Sequence, residues 1–386
     1  MTIAQDVAMK FSVAQSELAQ ALSLISSAVP SRTTLPVLSN ILVEATSEGL
    51  QLTATDLDLS ITTRAPADVK SEAALTVPAK KLLELVRKLP REELKLEAKD
   101  LTLNVGSKTG RFKFLCIRPE EFPARTTVAP ESTLTIDGKQ FERMIKRTIY
   151  SVSTDETRPA LNGALFQVVE GEIRLVATDG HRLARATLKH PGAIKGAMKG
   201  DVIVPLKALN HLLRLIAEGA DAVHVELSRN HARFTIGQTS LTTKLIEGPF
   251  PNYEQVLPKN NTKLLHVKRD ELAAALDRVS VFSDSLTRQV KFSIAQNKLR
   301  LIVQTPDQGE ATEELDVRYD SEDLDIGYNA GYLLDILRTI DSDEVTVQLN
   351  TPVTAGLIVP TAPADAKATP ALEGLLCLVM PLRLAG

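Results

Sequence analysis

The stretch "IRLVATDGHRL" (173–183) closely matches "LQLTATDLDLS" (50–60), which lies 123 positions earlier in the chain. A weaker copy, "LRLIVQT" (299–305), follows 126 positions after the second. Each copy alternates apolar residues with others, which is typical of a half-buried β-strand. Self-similarity at a fixed period indicates one supersecondary unit used several times. The sequence therefore predicts three similar repeats.

Two amphipathic helices recur in each repeat, in the same order. The first helix follows a short strand-like segment, "KFSVA", "TLTID" or "LLHVK", and the second begins near "VPAKK", "VPLKA" or "YNAGY". Apolar residues step by three and four along each helix, which places them on one buried face. The pattern predicts an α+β fold in which each repeat packs two helices on antiparallel sheets. The predicted faces are Leu18, Leu22, Ile25 and Val29; Leu82, Leu85, Val86 and Leu89; Phe141, Ile145, Thr148 and Val152; Leu209, Leu212, Leu213 and Ile216; Leu272, Leu276, Val279 and Ser283; and Leu333, Ile336, Leu337 and Ile340.

The ends of the repeats also resemble one another. "FKFLCIRPEEFP" (112–123) matches "LTTKLIEGPFP" (241–251), and "LLCLVMPLRL" (375–384) is the third counterpart. Segments rich in turn-forming residues follow the first two ends, near 125–133 and 257–263. The predicted domains are 9–128, 129–258 and 259–386, and residues 1–8 are predicted to be an N-terminal extension. The Pro- and Ala-rich segment 359–374 is predicted to be a mobile loop.

Asp179 and His181 stand two residues apart, which is a spacing that acid–base catalysis can use. Asp56 occupies the position equivalent to Asp179 in the first repeat, and Asp commonly bonds the backbone of its own turn. We therefore favour a structural role for Asp179. Positions 181–183 differ between the two repeats, so they are predicted to form a binding surface specific to the second.

Composition argues against a membrane-spanning protein, a zinc-binding protein and a disulfide-bonded protein. No run of 18 apolar residues is present, and the N-terminus lacks the pattern of a signal peptide. Cys116 and Cys377 lie far apart and without neighbouring His clusters, which fits a reducing cytoplasm and argues against a zinc site or a disulfide framework. No phosphate-binding loop or metal-ligand spacing is evident, so no cofactor and no metal are expected.

The three repeats, "ATDGHRL" in the second and "VMPLRL" at the end resemble the bacterial sliding clamps, the beta subunits of DNA polymerase III. "TLPVLSN", "LNGALF", "FPNY" followed by "VLPKN", and "IGYN" also fit, and the resemblance covers 9–384. It implies a cytoplasmic processivity factor without catalytic activity. Two three-domain chains would close head to tail into a ring around duplex DNA of any sequence. Short peptides would tether replicative and repair polymerases and the clamp loader to that ring.

The resemblance also implies three sets of site residues. A peptide groove on domains two and three would contain Leu161, Thr178, Gly180, His181, Arg182, Leu183, Pro251, Val256, Asn329, Tyr332, Val353, Val379, Met380, Pro381, Leu382, Arg383 and Leu384. DNA would be contacted by Arg32, Lys80, Arg147, Arg158, Lys207 and Arg288. The dimer interface would contain Arg111, Phe112, Phe114, Val281 and Phe282. Ala385 and Gly386 extend beyond the family's usual final Arg-Leu.

Charge is distributed unevenly along the chain, whose net charge is −3. The six helix windows, which the resemblance places around the hole of the ring, hold 14 basic and 8 acidic residues, a net charge of +6 that leaves −9 elsewhere. A basic lining within an acidic shell would attract phosphates, and no cluster of base-reading residues is evident. Two alternatives stay open: an enzyme that uses Asp179 and His181, and a peptide-binding scaffold with no role on DNA.

Overall fold

The computed structural model describes residues 8–169, 171–189, 201–361 and 374–384. The predicted extension before residue 8, most of the predicted loop at 359–374, and Ala385 and Gly386 lie outside the described residues. The chain forms two compact units. The described residues of unit 1 are 8–139 and 210–245, and those of unit 2 are 140–169, 171–189, 201–209, 246–361 and 374–384.

The described residues contain six α-helices and 25 strands. The helices are α1 (Gln15–Ser26), α2 (Ala79–Lys88), α3 (Gly138–Lys146), α4 (Leu206–Ala217), α5 (Arg269–Ser280) and α6 (Ala330–Leu337). The first strands are β1 (Met9–Ala14), β2 (Asn40–Thr46), β3 (Gly49–Thr55), β4 (Leu59–Ala65), β5 (Asp68–Ser71), β6 (Ala73–Pro78), β7 (Glu93–Lys99), β8 (Thr102–Gly106) and β9 (Arg111–Leu115). The middle strands are β10 (Ser132–Asp137), β11 (Gly163–Val169), β12 (Glu172–Thr178), β13 (Arg182–Lys189), β14 (Val202–Pro205), β15 (Ala222–Leu227), β16 (His231–Ile236) and β17 (Thr239–Lys244). The last strands are β18 (Lys263–Lys268), β19 (Gln289–Ala295), β20 (Lys298–Thr305), β21 (Gly309–Asp316), β22 (Leu324–Asn329), β23 (Glu344–Leu349), β24 (Gly356–Pro360) and β25 (Leu375–Val379).

Unit 1 contains two antiparallel sheets and a helix pair. One sheet has the order β5-β1-β7-β8-β9 and the other β10-β15-β16-β17-β4-β3-β2-β6. Helix α1 packs against α2 and against β3 and β4, and it buries Leu18, Leu22 and Ile25. Three of the four residues of the apolar face predicted for this helix are therefore confirmed, and Val29 is buried beyond the end of the helix.

Unit 2 repeats the arrangement with sheets in the orders β14-β11-β12-β13-β25-β24-β23-β18 and β21-β20-β19-β22. Helix α5 packs against α6 and against β20 and β21. It buries Leu272, Leu276 and Val279, while α6 buries Leu333 and Ile336. The predicted combination of helices and antiparallel sheets is confirmed in this unit too.

The middle repeat contributes strands to both eight-stranded sheets. Strand β17 pairs with β4 of the first repeat, with Thr243 opposite Leu59. Strand β13 pairs with β25 of the third repeat, with Arg182 opposite Val379. Such pairing satisfies the backbone groups that an open sheet edge would expose. The two compact units therefore do not coincide with the three sequence repeats, and the three domain boundaries stay predictions.

The first helix of the middle repeat ends earlier than its apolar spacing suggests. Helix α3 stops at Lys146, and a 3₁₀ turn at Ile149–Ser151 follows, so Val152 lies beyond the helix. Thr148, the polar residue on the predicted face, is fully buried, and its hydroxyl donates to the Met144 carbonyl at 2.9 Å. This bond satisfies the buried hydroxyl, which explains why a Thr is tolerated there. Among the described residues, no helix is long and apolar enough to cross a bilayer.

Candidate functional site

The turn at 178–182 connects β12 to β13 in unit 2. The Thr178 hydroxyl donates to the Arg182 carbonyl at 2.7 Å and accepts the Gly180 N–H at 3.1 Å. Oδ1 of Asp179 accepts the N–H groups of His181 and Arg182 at 2.9 and 3.0 Å. The sequence Thr-Asp therefore supplies side-chain acceptors for the N–H groups of Gly180, His181 and Arg182.

The turn at 55–59 connects β3 to β4 in unit 1 and has the same hydrogen bonds. The Thr55 hydroxyl donates to the Leu59 carbonyl at 2.9 Å and accepts the Leu57 N–H at 3.1 Å. Oδ1 of Asp56 accepts the N–H groups of Asp58 and Leu59 at 3.1 and 2.7 Å. The prediction that the two repeat-equivalent Asp residues stabilise turns is thus confirmed.

Acid–base chemistry at Asp179 and His181 receives no support from the geometry. Both oxygens of the Asp179 carboxylate accept hydrogen bonds, Oδ1 from two backbone N–H groups and Oδ2 from Nε of Arg182 at 3.0 Å. The His181 imidazole instead stacks on the Tyr332 ring, with centroids 6.4 Å apart and planes at 22°. His181 is therefore a wall residue in this arrangement, and Asp179 does not orient it as a base.

The Arg182 guanidinium makes hydrogen bonds to three residues and a contact with an aromatic ring. Its guanidinium donates to Asp179, to Oδ2 of Asp335 at 2.7 Å and to the Tyr150 carbonyl at 2.6 Å. Its Cζ also lies 4.5 Å from the centre of the Tyr332 ring, within the range of cation–π attraction. Burial and the Asp179 carboxylate raise the pKa of Tyr332, while Arg182 opposes the rise. Arg182 thus fixes the turn to helix α6, which carries Tyr332 and Asp335.

Gly180 adopts a conformation that favours glycine. Its φ is +91°, in the left-handed region. A Cβ there would lie 2.9 Å from Nη1 of Arg158, whose Nη2 donates to the Asp179 carbonyl at 3.0 Å. Arg158 also pairs with Asp155 at 3.0 Å, and hydrogen bonds from Thr157 and this arginine lower the pKa of the Asp155 carboxyl. Arg158 therefore supports the 178–182 turn as well as presenting a half-exposed charge.

The C-terminal segment runs beside this turn and is fixed by its backbone. The Met380 N–H donates to the His181 carbonyl at 2.8 Å, and the Leu382 N–H donates to the Gly327 carbonyl at 2.8 Å. A Cβ on Gly327 would lie 2.8 Å from the Leu382 carbonyl oxygen, so this close approach requires glycine. The amide of Gln289 donates to the Arg383 carbonyl at 3.0 Å. Met380 is left 41 % exposed next to the His181–Tyr332 stack.

The other predicted groove residues divide by burial. Val379, Leu183 and Leu161 are buried and can only support a surface from below. Val256 and Val353 are exposed, at 56 % and 72 %. Exposed or partly exposed residues also include Thr178, Pro251, Asn329, Pro381, Leu382, Arg383 and Leu384.

Three of the outlying predicted groove residues lie close in sequence to members of one apolar cluster. Tyr253 packs with Leu183 and Ala355 in this cluster. Pro251 and Val256 flank Tyr253 along the chain, and Val353 is two residues from Ala355. Asn329 caps α6 by accepting the Tyr332 N–H at 3.1 Å. The cluster members and α6 all belong to unit 2.

Five of the six predicted DNA contacts are exposed. Arg32, Lys80, Lys207 and Arg288 are open to solvent, and the Arg158 side chain is 45 % exposed.

Arg147 differs, because only 8 % of its side chain is exposed and its Nη2 lies 2.9 Å from Asp341. Burial lowers the pKa of its guanidinium, and Asp341 opposes this. The burial of Arg147 gives no support to a direct contact with phosphate.

The predicted interface residues lie in two places. Phe112 is 36 % exposed on β9, with Arg111 exposed before it and Phe114 buried at 9 %. Val281 and Phe282 follow α5 and are 73 % and 37 % exposed.

Sequence reasoning missed three residues of these surfaces. Tyr150 and Asp335 both hold Arg182, and Asp335 stands three positions after Tyr332, the spacing of neighbours on one helix face. Leu115, 76 % exposed at the end of β9, lies on the face of the strand opposite to Phe112, because side chains alternate along a strand. In the part of the chain that the structure describes, no group of three or more His, Cys, Asp or Glu residues could hold a metal ion.

Comparisons with known proteins agree along the whole chain. Residues 9–126 match the N-terminal domain, 135–252 the central domain and 254–371 the C-terminal domain of the DNA polymerase III beta subunit. The beta sliding clamp of Caulobacter vibrioides is 35 % identical over 382 residues, which cover 97 % of this chain and all of the relative. That of Escherichia coli is 33 % identical over 378 residues, with 97 % of this chain and all of the relative covered. A crystal structure of the Bartonella birtlesii sliding clamp bound to griselimycin has a TM-score of 0.91 at 35 % identity, covering 98 % of this chain and all of that one.

The fold is thus that of three tandem clamp domains. The chain belongs to the DNA polymerase III beta subunit family, the bacterial sliding clamps. The resemblance found in the sequence is confirmed.

Proposed function

We propose that two copies of this chain close head to tail into a ring around duplex DNA and tether polymerases for processive synthesis. The protein acts in the cytoplasm, needs no cofactor and catalyses no reaction itself. Replicative and repair polymerases and the clamp loader bind through short peptides in the groove around Met380. The observation that carries this proposal is the exposed Met380 beside the His181–Tyr332 stack, on a backbone fixed by the 178–182 turn.

The groove has the chemistry that peptide capture needs. Met380, Val256 and Val353 offer exposed aliphatic surface, while Asn329 and the His181 ring offer polar groups that orient a ligand. Methionine adapts its shape to different ligands, which suits a site shared by several partners.

Met380→Ala tests the groove. Loss of the thioether side chain should weaken an aliphatic partner peptide about tenfold, equivalent to about 1.4 kcal/mol. Fluorescence anisotropy measures the affinity, and Leu264→Ala is the matched control because Leu264 is 39 % exposed on β18. Equal affinity for both variants would refute the groove.

Two edge strands support head-to-tail closure. Strand β9 ends one sheet of unit 1 and carries Arg111 and Lys113, whereas β21 ends a sheet of unit 2 and carries Glu310. An open edge offers unpaired backbone groups to a second chain, and opposite charges favour a specific pairing. Heterologous contacts of this kind form a closed ring when the rotation between subunits closes.

Phe112→Glu tests the ring. A carboxylate in place of this phenyl ring, which is 36 % exposed, should leave a monomer in solution, which light scattering detects, and Leu264→Glu should leave the dimer intact. The ring should stay on nicked circular duplex and run off linear duplex, while the Phe112→Glu protein is retained on neither. Equal retention of the unaltered protein on both DNAs would overturn encirclement.

The DNA contacts are proposed for Arg32, Lys80, Arg158, Lys207 and Arg288. Exposed cations attract phosphates without reading bases, so affinity should fall with rising salt. Arg147 is assigned instead to holding Asp341, because its guanidinium is buried against that carboxylate.

A further inference from the structure

Unit 1 contains a cleft beside the 55–59 turn. Its narrow part has a volume of about 140 Å³ and is lined by Leu57, Asp58, Pro123, Arg125 and Lys244, among others. A wider part of about 450 Å³ adjoins it, and the two share Ser60, Arg125, Thr126 and Thr242. We call both parts together the seam cleft, because they lie where β4 pairs with β17.

The backbone around the seam cleft repeats that of the proposed groove. The Lys244 N–H donates to the Asp58 carbonyl at 2.8 Å, and the Met380 N–H donates to the His181 carbonyl at the same distance. Leu57 has a φ of +85°, close to the +91° of Gly180.

The sequence alignment of the repeat ends adds a further correspondence. Pro123 follows Phe122 as Pro251 follows Phe250, and Pro251 is one of the groove residues. The seam cleft is therefore the first-repeat counterpart of the groove.

Side chains at the equivalent positions give the seam cleft a different chemistry. Lys244 stands where the groove has Met380, and Thr243 stands where it has Val379. The wider part adds Arg64 and Arg233.

Four basic residues and two carboxylates, Asp58 and Glu226, line the cleft as a whole. Arg64, Arg125 and Arg233 pair with Glu48, Glu44 and Glu226. Within the described part of the chain, no carboxylate pairs with Lys244. Three of the four basic residues are therefore neutralised by carboxylates of the same chain, and Lys244 is left to complement a carboxylate of a ligand.

We propose that the seam cleft binds an extended acidic peptide segment of a partner protein. The inference rests on the proposed function, because it treats the equivalent surface in unit 2 as a peptide groove. Leu57, 56 % exposed, would contact an aliphatic residue of the segment, and Lys244 would contact one of its carboxylates. Single-stranded nucleic acid fits less well, because its bases stack on exposed aromatic rings and Phe122, the phenyl ring in the lining, is buried.

The test uses the full-length protein and a fluorescein-labelled peptide of four glutamates around one leucine. Lys244→Glu should weaken its binding about tenfold or more by anisotropy, and Lys244→Arg should retain the affinity. Lys99→Glu, an exposed charge reversal on β7, is the control for a general change in net charge. Equal weakening by Lys99→Glu and Lys244→Glu, or no saturable binding at all, would overturn the proposal.

Location and ligand class are tested separately. Cross-links from a photoreactive leucine in the peptide should map to 55–60 or 122–126, whereas cross-links at 178–183 or 380–384 would place it in the groove and overturn the inference. Displacement by an oligothymidylate of equal charge, with equal affinity, would also overturn it. Met380→Ala should leave acidic-peptide binding unchanged, so loss of the groove and loss of the seam cleft are distinguishable results.

Discussion

The 55–59 and 178–182 turns share their backbone hydrogen bonds and differ in what surrounds them. In the first, the fourth turn position after Thr is Leu59, which is buried at 3 % exposure. In the second it is Arg182, which is paired with two carboxylates and lies against two aromatic rings. The same turn thus places a buried apolar side chain in unit 1 and an ion-paired side chain in unit 2. The Thr-Asp pair therefore specifies the turn, while the residues after it specify the surface.

Arg182→Leu, which installs the residue of the first turn, should have the largest effect. Asp179 and Asp335 would lose their shared cation in a largely buried position, and we expect a loss of about 3 kcal/mol in the free energy of unfolding. Urea denaturation measures it. Arg64→Leu is the control, because its exposed pair with Glu48 should contribute less than about 1 kcal/mol. If Arg182→Leu costs no more than Arg64→Leu, then leucine can replace arginine at this position of the turn.

Gly180→Ala should cost about 1–2 kcal/mol, because alanine disfavours a positive φ. Gly171→Ala separates the cost of a positive φ from the cost of the close contact with Arg158, since Gly171 has a φ of +82° with open space around its Cβ position. We expect the Gly180 variant to lose more, and Arg158→Ala in the same chain to recover the excess by removing the close contact. If the two glycine variants lose the same amount, Arg158 does not restrict this turn.

Cys116 and Cys377 lie in the ends of the first and third repeats and differ in burial. Burial raises the pKa of the Cys377 thiol to about 12, and it raises that of the less buried Cys116 to about 11. The pKa of the Cys377 thiol is higher in the folded protein than in the unfolded chain, so the protonated thiol stabilises the fold. This contribution to the free energy of unfolding is fully present below the unfolded pKa of 9.0 and is lost as the pH rises toward the folded pKa. For Cys377 the loss between pH 8 and pH 9.5 should be about 1 kcal/mol. Cys377→Ala should flatten the pH profile of urea unfolding, and an unchanged slope would contradict this origin.

Leu57→Gly should have the smallest effect. It relieves a leucine at a φ of +85°, but glycine also increases the entropy of the unfolded chain, so the net change should stay within about 0.5 kcal/mol. The midpoint of urea unfolding measures it. A loss above about 1 kcal/mol would show that the exposed Leu57 side chain packs in the folded protein, unlike its counterpart Gly180.

Much of the site follows from local patterns. The repeated Thr-Asp dipeptide predicted both turns, because a carboxylate that accepts the N–H groups two and three residues later is a short-range arrangement. Burial of Arg147 could not be predicted, since its position on a helix gives no sign of the Asp341 carboxylate 194 residues away. The partners of Arg182 are also distant in sequence, at Tyr150 and Asp335.

The threefold repeat, most of the helix faces and the chemistry of the turns could be read from the sequence. The faces and the turns depend on residues within a few positions of one another, and the repeat is visible as similar segments 123 and 126 positions apart. Tertiary structure alone decided that the middle repeat divides its strands between two sheets, with β17 beside β4 and β13 beside β25. Any half-buried antiparallel strand with the right alternation can satisfy an open edge, so the choice of partner depends on the packing of the complete fold.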